Sequence, residues 1–228
     1  MVWKGLKDFI QEQSKDTDIF CFLEVDPKIQ KKLISVLPKF DFYYSKGIKT
    51  GYLGGVYEGR TVFVNKNIKI LKSKRVKLFN THKFDAGGMI YSELEIDGKK
   101  LFLGCVHGKA KPGTKIDTRV RLKQSEIIIN TFMNKKGPKI IGGDFNLNPD
   151  TLSIKMFEEA GYKNLIKEFK IKATRNKVSW ENFKNEPRFI KQFFADYCFV
   201  SPEVNVNKFK VPYNEISDHL PLILEFEL

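Results

Sequence analysis

The stretch "KIIGGDFNLNPD", Lys139 to Asp150, decides the reading of this chain. An apolar run stops at two glycines and leaves an aspartate, then an asparagine, on a short turn. Such a run reads as a buried strand whose backbone bends sharply at its C-terminal end. Asp144 and Asn146, two apart in extended chain, can face one site while Phe145 points back into the core. Acids at the ends of buried strands usually do chemistry, so the other strand ends are the next place to look.

Working outward, "DTRVRLKQSEIIINTFMN" carries an apolar stripe from Leu122 through Ile129, Phe132 and Met133, which predicts a helix covering a sheet. Before it, Ile90, Ser92, Leu94 and Ile96 alternate with Tyr91, Glu93 and Glu95. Asp97 and Gly98 then make a tight turn, and "KLFLGCV" returns as a central apolar strand ending at His107. Nearer the start, "VWKGLKDFIQEQ" reads as a helix, "DIFCFLEV" as a buried strand ending at Glu24, and "DPKIQKKLISVL" as a helix opened by Asp26 and Pro27. After the turn, "TLSIKMFEEAG" is a short helix capped by Thr151 or Ser153 and stopped by Gly161. A basic segment without clear periodicity, Lys170 to Lys191, precedes three last strands, "FFADYCFVS", "VNVNKFKV" and "HLPLILEFEL". Strands in long runs with helices placed to cover them predict an α/β fold: a four-layer α/β/β/α sandwich of two mostly antiparallel sheets flanked by helices. The expectation is a single domain over 1–228, since no composition break divides the chain.

Forty Lys and Arg against twenty-seven Asp and Glu give a net charge of +13, which favours a polyanionic partner such as nucleic acid. A lysine-rich solvated surface would give the same balance. Cys21, Cys105 and Cys198 sit in apolar runs without metal-binding spacing and read as small core residues in a reducing compartment. No apolar stretch approaches the roughly twenty residues of a membrane span, and the first residues lack the apolar core of a secretory signal. With Met1 as the start, the expectation is a cytoplasmic protein, with no protein partner evident.

Glu24, His107, Asp144 with Asn146, Asp196, and Asp218 with His219 all stand at ends of apolar strands. Strand ends on one edge of a sandwich converge in space, so these residues predict one site of carboxylates, an amide and imidazoles. Clustered carboxylates repel unless a cation sits among them, and hard Mg²⁺ or Mn²⁺ suits oxygen ligands and phosphate. Each residue has a plainer alternative: a helix-cap acid for Glu24, a structural hydrogen bond for Asp196, a satisfied core histidine for His107. His82 reads as structural, and Gly51, Gly54 and Gly55 as turns.

"GDFN", the later "ADYCFVS" and the terminal "SDHLPL", with "DIFCFLE" and "CVHG" before the helix bearing Arg121 and Gln124, resemble the histidine-containing branch of the endonuclease/exonuclease/phosphatase superfamily. The resemblance spans Asp18 to the C-terminus. It implies Glu24 as the main metal ligand and Asp218 as a ligand of a second metal. It implies Asp144 as the group that orients or deprotonates the attacking water, and Asn146 as a phosphate holder. Asp196 would fix and charge His219, and His107 would donate to a non-bridging phosphate oxygen in the transition state. The family normally opens with a strand bearing a metal-site asparagine, and this chain begins where the following helix should be. One sheet is therefore expected to lack a strand and the metal site a ligand, with weakened or lost activity.

Substrate is set by loops and not by fold. Lys109, Lys111 and Lys115 beside His107, and Arg175 and Trp180 in the basic segment with Phe183 and Phe189, suit a single strand or an end of nucleic acid. The expected function is metal-dependent hydrolysis of a phosphodiester in nucleic acid. The alternatives are a catalytically silent nucleic-acid binder, and an inositol or lipid phosphomonoesterase or sphingomyelinase-like hydrolase.

Overall fold

The structure, a computed structural model, describes residues 3–47, 58–80, 87–185 and 190–228. His82, Gly51, Gly54, Gly55 and Phe189 lie outside the described residues. In chain order the elements are α1 (Trp3–Gln13), β1 (Ile19–Val25), α2 (Pro27–Val36), β2 (Phe40–Ser45), β3 (Gly59–Asn65) and β4 (Lys69–Val76). Then come β5 (Gly88–Ile96), β6 (Lys99–His107), α3 (Arg119–Met133), β7 (Lys139–Asp144), α4 (Leu152–Glu159), β8 (Lys163–Asn164) and α5 (Leu165–Glu168). The chain closes with α6 (Lys177–Phe183), β9 (Asp196–Val200), β10 (Asn205–Lys210) and β11 (Ile223–Glu227).

Six strands form one sheet in the order β4-β5-β6-β7-β9-β8, antiparallel except between β6 and β7. The parallel pair is joined by α3, the long crossover that parallel strands require. The predicted hairpin pairs Ile96 with Lys99 around Asp97 and Gly98, and it puts β6 in the middle of the sheet. Facing this sheet is a three-stranded antiparallel sheet, β1-β3-β2. Alternation along β3 shows why it is buried on both sides: Val62 and Val64 join the core between the sheets, while Phe63 joins a cluster with Ile10 of α1 and Leu33 of α2. On the far side of the large sheet, Ile128 and Phe132 of α3 and Ile154 and Phe157 of α4 are buried. The result is the expected α/β sandwich, mostly antiparallel, with flanking helices. No described helix is long and apolar enough to cross a membrane.

Among the described residues the second layer is in two pieces, because β10 and β11 pair only with each other. Among the described residues β1 pairs only with β3 and β11 only with β10, so each keeps one bare edge. The bare edge of β1 also corrects the reading of the cysteines. Cys105 and Cys198 are buried, but Cys21 is exposed although its neighbours in register, Ile19 and Leu23, pack on the inner core. An inward-pointing side chain on an unpaired edge has nothing alongside to cover it.

Helix α3 departs from its predicted stripe. Arg121, Gln124, Ser125, Ile128 and Phe132 are the buried residues, and Met133 is 64% exposed. The first turns of α3 lie against the loop after β6, whose carbonyls need donors more than apolar contact. Arg121 supplies them: its guanidinium donates to the carbonyls of Lys109, Ala110, Pro112 and Ile116, and the Gln124 carbonyl accepts from the Lys109 N–H. Helix α4 is capped differently from expectation, since Leu152 N–H and Ser153 N–H donate to Asp117, while Thr151 turns back to the Asn148 carbonyl. Both devices fix the segment from Gly108 to Asp117, which walls the site described below. Arg121→Ala would strand several buried carbonyls and leave a large void. It should destabilise the fold by about 3 kcal/mol or more, read as a fall in the urea midpoint with an unchanged slope.

Candidate active site

Strand register sets the first row. In the parallel pair His107 lies opposite Asp144, and in the antiparallel pair Asp144 lies opposite Asp196, so three polar residues share one line across β6, β7 and β9. Gly143 makes this approach feasible: its φ is +133°, and a Cβ there would stand 2.1 Å from the Val106 carbonyl oxygen. Beyond Asp144 the chain turns as predicted. Phe145 is fully buried, edge-on to Phe157, Tyr197 and Phe199. Asn146, at φ +55°, donates from its backbone to Asp144 Oδ1 (2.7 Å) and from Nδ2 to Asp144 Oδ2 (3.1 Å). Both oxygens of Asp144 are thereby oriented.

Strand β1 delivers Glu24 from the opposing sheet. A register irregularity between Leu23 and Val25, with Glu24 at φ +56°, turns its carboxylate out of the strand alternation. Asp26, and not Glu24, caps α2, accepting from Lys28 and Ile29 N–H. Glu24 is thus free for other work, and its side chain is 64% exposed. Its Oε1 stands 3.5 Å from His107 Nε2. Hydrogen bonding to His107 holds the Glu24 carboxyl down to about 2, against the opposing effect of desolvation. Burial works against charge on His107, but the Glu24 carboxylate and then Asp144 outweigh it and raise the imidazole above its ordinary value. His107 is buried and its Nδ1 has no hydrogen-bond partner among the described residues. The neighbour it meets among the described residues is Glu24, at 3.5 Å.

The third side comes from the segments carrying Thr174 to Asn176 and Ser217 to Leu220. Arg175 and His219 form an antiparallel bridge, and Leu220 N–H donates to the Thr174 carbonyl. His219 Nδ1 reaches Asp196 Oδ2 at 2.8 Å and Oδ1 at 3.1 Å, while its Nε2 faces Asp218 Oδ2 at 3.8 Å. Desolvation opposes a charge on His219, but Asp196 wins, with Asp144 and Asp218 adding to it, and the imidazole is pushed up to about 9. Burial in turn pushes the Asp196 carboxyl up while His219 draws it down, so the two groups hold one proton between them tightly. Three residues that escaped the sequence reading brace the segments around this pair. Thr174 Oγ1 accepts from the Ala195 and Asp196 N–H groups, and Asn176 Nδ2 donates to the Asn214 and Ser217 carbonyls. Gln192 donates to the Gly113 carbonyl and accepts from Arg175. They fall in or beside a segment without periodicity, where only tertiary contacts assign a role.

Asp144, Asp196 and His219 each offer a ligand atom, all within 4.8 Å of one another, and form a group able to hold a metal ion. Oxygen donors predominate, which fits a hard divalent cation. Glu24 and Asp218, the ligands implied by the family pattern, stand on either side of this group, Glu24 against His107 and Asp218 against His219 and Arg175.

The basic residues separate into two sets. Lys115 is buried and Arg175 nearly so, and both turn inward. Lys109 instead lies with its ammonium 5.1 Å above the Phe79 ring, and Lys111 is exposed. Trp180 donates its indole N–H to the Gln192 carbonyl (2.9 Å), packs edge-on against Phe193, and has the Lys191 ammonium 3.8 Å above its ring. One ring face is therefore already occupied by a cation of the chain itself.

The model of the Endonuclease/Exonuclease/phosphatase family matches residues 2–219. No curated protein is a significant match by sequence. Among solved structures, the human Nocturnin catalytic domain with bound sulfate is 23% identical and has a TM-score of 0.75, covering 100% of this chain and 87% of that one. D. rerio TDP2 complexed with a single-strand DNA product is 17% identical with a TM-score of 0.75, covering 99% and 91%. The Bacteroides thetaiotaomicron mannosyl-6-phosphatase Bt3783 is 19% identical with a TM-score of 0.72, covering 99% and 92%. At these identities the likeness is one of fold.

The raised imidazole makes stability depend on pH. The folded chain holds the His219 proton up to about 9, whereas an unfolded histidine releases it near its ordinary 6.5. Between those values the native state binds the proton and the unfolded state does not, so stability falls as pH rises. The contribution is complete below about 6.5 and lost through about 9. Urea unfolding in EDTA across this window should show the decline, and His219→Gln should lessen it, leaving the part that the raised His107 contributes.

Proposed function

The chain belongs to the endonuclease/exonuclease/phosphatase family, and from that we propose that this phosphoesterase fold serves divalent-metal-dependent hydrolysis of phosphodiesters in nucleic acid. The observation that carries the reading is the convergence of Glu24, Asp144, Asp196 and His219, from both layers of the sandwich, around one centre. Glu24, ionised and open to solvent, would hold Mg²⁺ or Mn²⁺, and Asp218 a second ion; bound there, the metal supplies positive charge to a phosphate. The Asp144–Asp196–His219 group is reserved for other work, because Asp196 and His219 are bonded to each other.

Asp144, its two oxygens fixed by Asn146, is the group that orients and deprotonates water. His219, charged through Asp196, donates from Nε2 to a non-bridging phosphate oxygen, a bond that strengthens as negative charge builds. Asn146 donates from Nδ2 to Asp144 and, at 3.4 Å, to the Gly108 carbonyl, and a phosphate oxygen would take over the second, longer bond. His107 holds Glu24 in its strained turn.

Nucleic acid is favoured over other phosphate esters by the net charge of +13 and by lysines on the loop after β6. Lys109, Lys111 and the Trp180–Lys191 pair would contact flanking nucleotides, by charge and by stacking on the open ring face. The DNA product bound to TDP2 supports the same choice. One second reading has an observation behind it: the divided second layer and the bare edge of β1 beside Glu24 would suit a silent nucleic-acid binder.

A panel of single- and double-stranded DNA, RNA, a 5′-tyrosyl end, inositol phosphates and a sugar phosphate, each with Mg²⁺ or Mn²⁺, separates these readings. Hydrolysis of a nucleic-acid phosphodiester is expected, lost in EDTA. Asp144→Asn and His219→Ala should each lower kcat by about 10²- to 10⁴-fold without unfolding the chain. Tight binding with no turnover of any ester would establish the silent reading instead.

A further inference from the structure

Lys115 is only 5% exposed, and its backbone adopts φ +54°, a conformation a lysine seldom takes. The strain is maintained: the Lys115 carbonyl accepts from Asn148 N–H at 2.8 Å, and Arg121 binds the Ile116 carbonyl next to it. The turn drives the ammonium inward, where it donates to Asn146 Oδ1. Asp144 and Asp196 are close enough to attract its charge. An ammonium carries three donors, and among the described residues this one makes a single hydrogen bond, to a neutral amide. Burying a charge so incompletely satisfied is costly unless another anion completes the set.

Arg175 comes from the segment bridged to His219. Its side chain is 12% exposed, and its contacts to Asp218 Oδ2 and Gln192 Oε1 are both long, at 3.5 Å. Its Nε is buried with no partner among the described residues. Gln192 links the two segments, accepting from Arg175 while donating to the Gly113 carbonyl, two residues before Lys115. Arg175 also acts on Glu24, as Asp144 and Asp196 act on Lys115, so both cations stand among the carboxylates of the site.

We propose that Lys115 and Arg175 form a built-in phosphate clamp that grips the non-bridging oxygens of the scissile group. They complete the donor set that His219 begins, with Gln192 as the positioning residue that sets their spacing. The clamp deepens the hydrolase reading and takes its substrate phosphate from it. Lys109 and Lys111, by contrast, lie outside it.

Two measurements on the full chain test this. Inorganic phosphate titrated calorimetrically with Mg²⁺ present should bind the wild type at least about tenfold more tightly than Lys115→Met or Arg175→Met, the worth of a charge-assisted hydrogen bond. With bis(p-nitrophenyl) phosphate, the same variants should lose about 10²-fold in kcat with little change in KM. Methylammonium should restore part of the loss in Lys115→Ala, a rescue that a merely structural lysine would not show. Equal phosphate affinities would overturn the clamp whatever the turnover. A wild type that hydrolyses no ester, yet binds phosphate more tightly than the variants, would overturn the hydrolase reading and leave the clamp standing. If the Lys115 variants fail to fold, Arg175→Met and Gln192→Ala decide by the same affinity comparison.

Discussion

His107, Asp144 and Asp196 share one row because β7 lies in register between β6 and β9, and everything else at the site is arranged around that row. Register in a buried sheet is rigid, since a slip of one residue would send Asp144 into the core and Phe145 out of it. The aromatic cluster around Phe145 opposes such a slip. Gly143 allows the close approach of β6 and β7 that the row needs. The core therefore enforces the chemistry, and the polar row need not stabilise the fold.

A cluster of carboxylates at the end of a buried row must be compensated, and the compensation comes from different segments. His219 pairs with Asp196, His107 with Glu24, and Arg175 with Asp218. Lys115 reaches Asn146 beside Asp144. Every one of these contacts joins residues far apart in the chain, so the charge balance of the site reports correct assembly of both layers. Three of the described non-glycine residues at positive φ, Glu24, Lys115 and Asn146, belong to this same set. Strain gathered where side chains must leave their regular direction is what a preorganised site requires, and the packing around it has to hold it in place.

The elements themselves were open to reading from the chain. Alternation marked the β5–β6 hairpin, Asp26 with Pro27 marked the start of α2, and the glycines marked the end of β7. What misled was the assumption that apolar surroundings imply burial and that apolar spacing implies the packed face. Cys21 sits in an apolar strand but borders a bare edge. Helix α3 buries Arg121 and Gln124 because what lies beneath its first turns is a loop full of carbonyls. Neither fact follows from a local pattern, since each depends on what another segment places alongside.

By itself the sequence determined the strand-end positions of Glu24, His107, Asp144 and Asp196, and with them the layered fold, because hydrophobic periodicity and turn residues act over a few neighbours. His219, by contrast, stands four residues before β11 in a bridge to Arg175. Only the tertiary structure decided which of those groups meet. It paired His107 with Glu24, set Thr174, Asn176 and Gln192 as supports, and turned Lys115 and Arg175 inward while Lys109 lay against Phe79. The reason is physical: a charged side chain takes the direction set by the charges and open space around it. Those are supplied by segments tens of residues away, through contacts that exist only once both layers have packed.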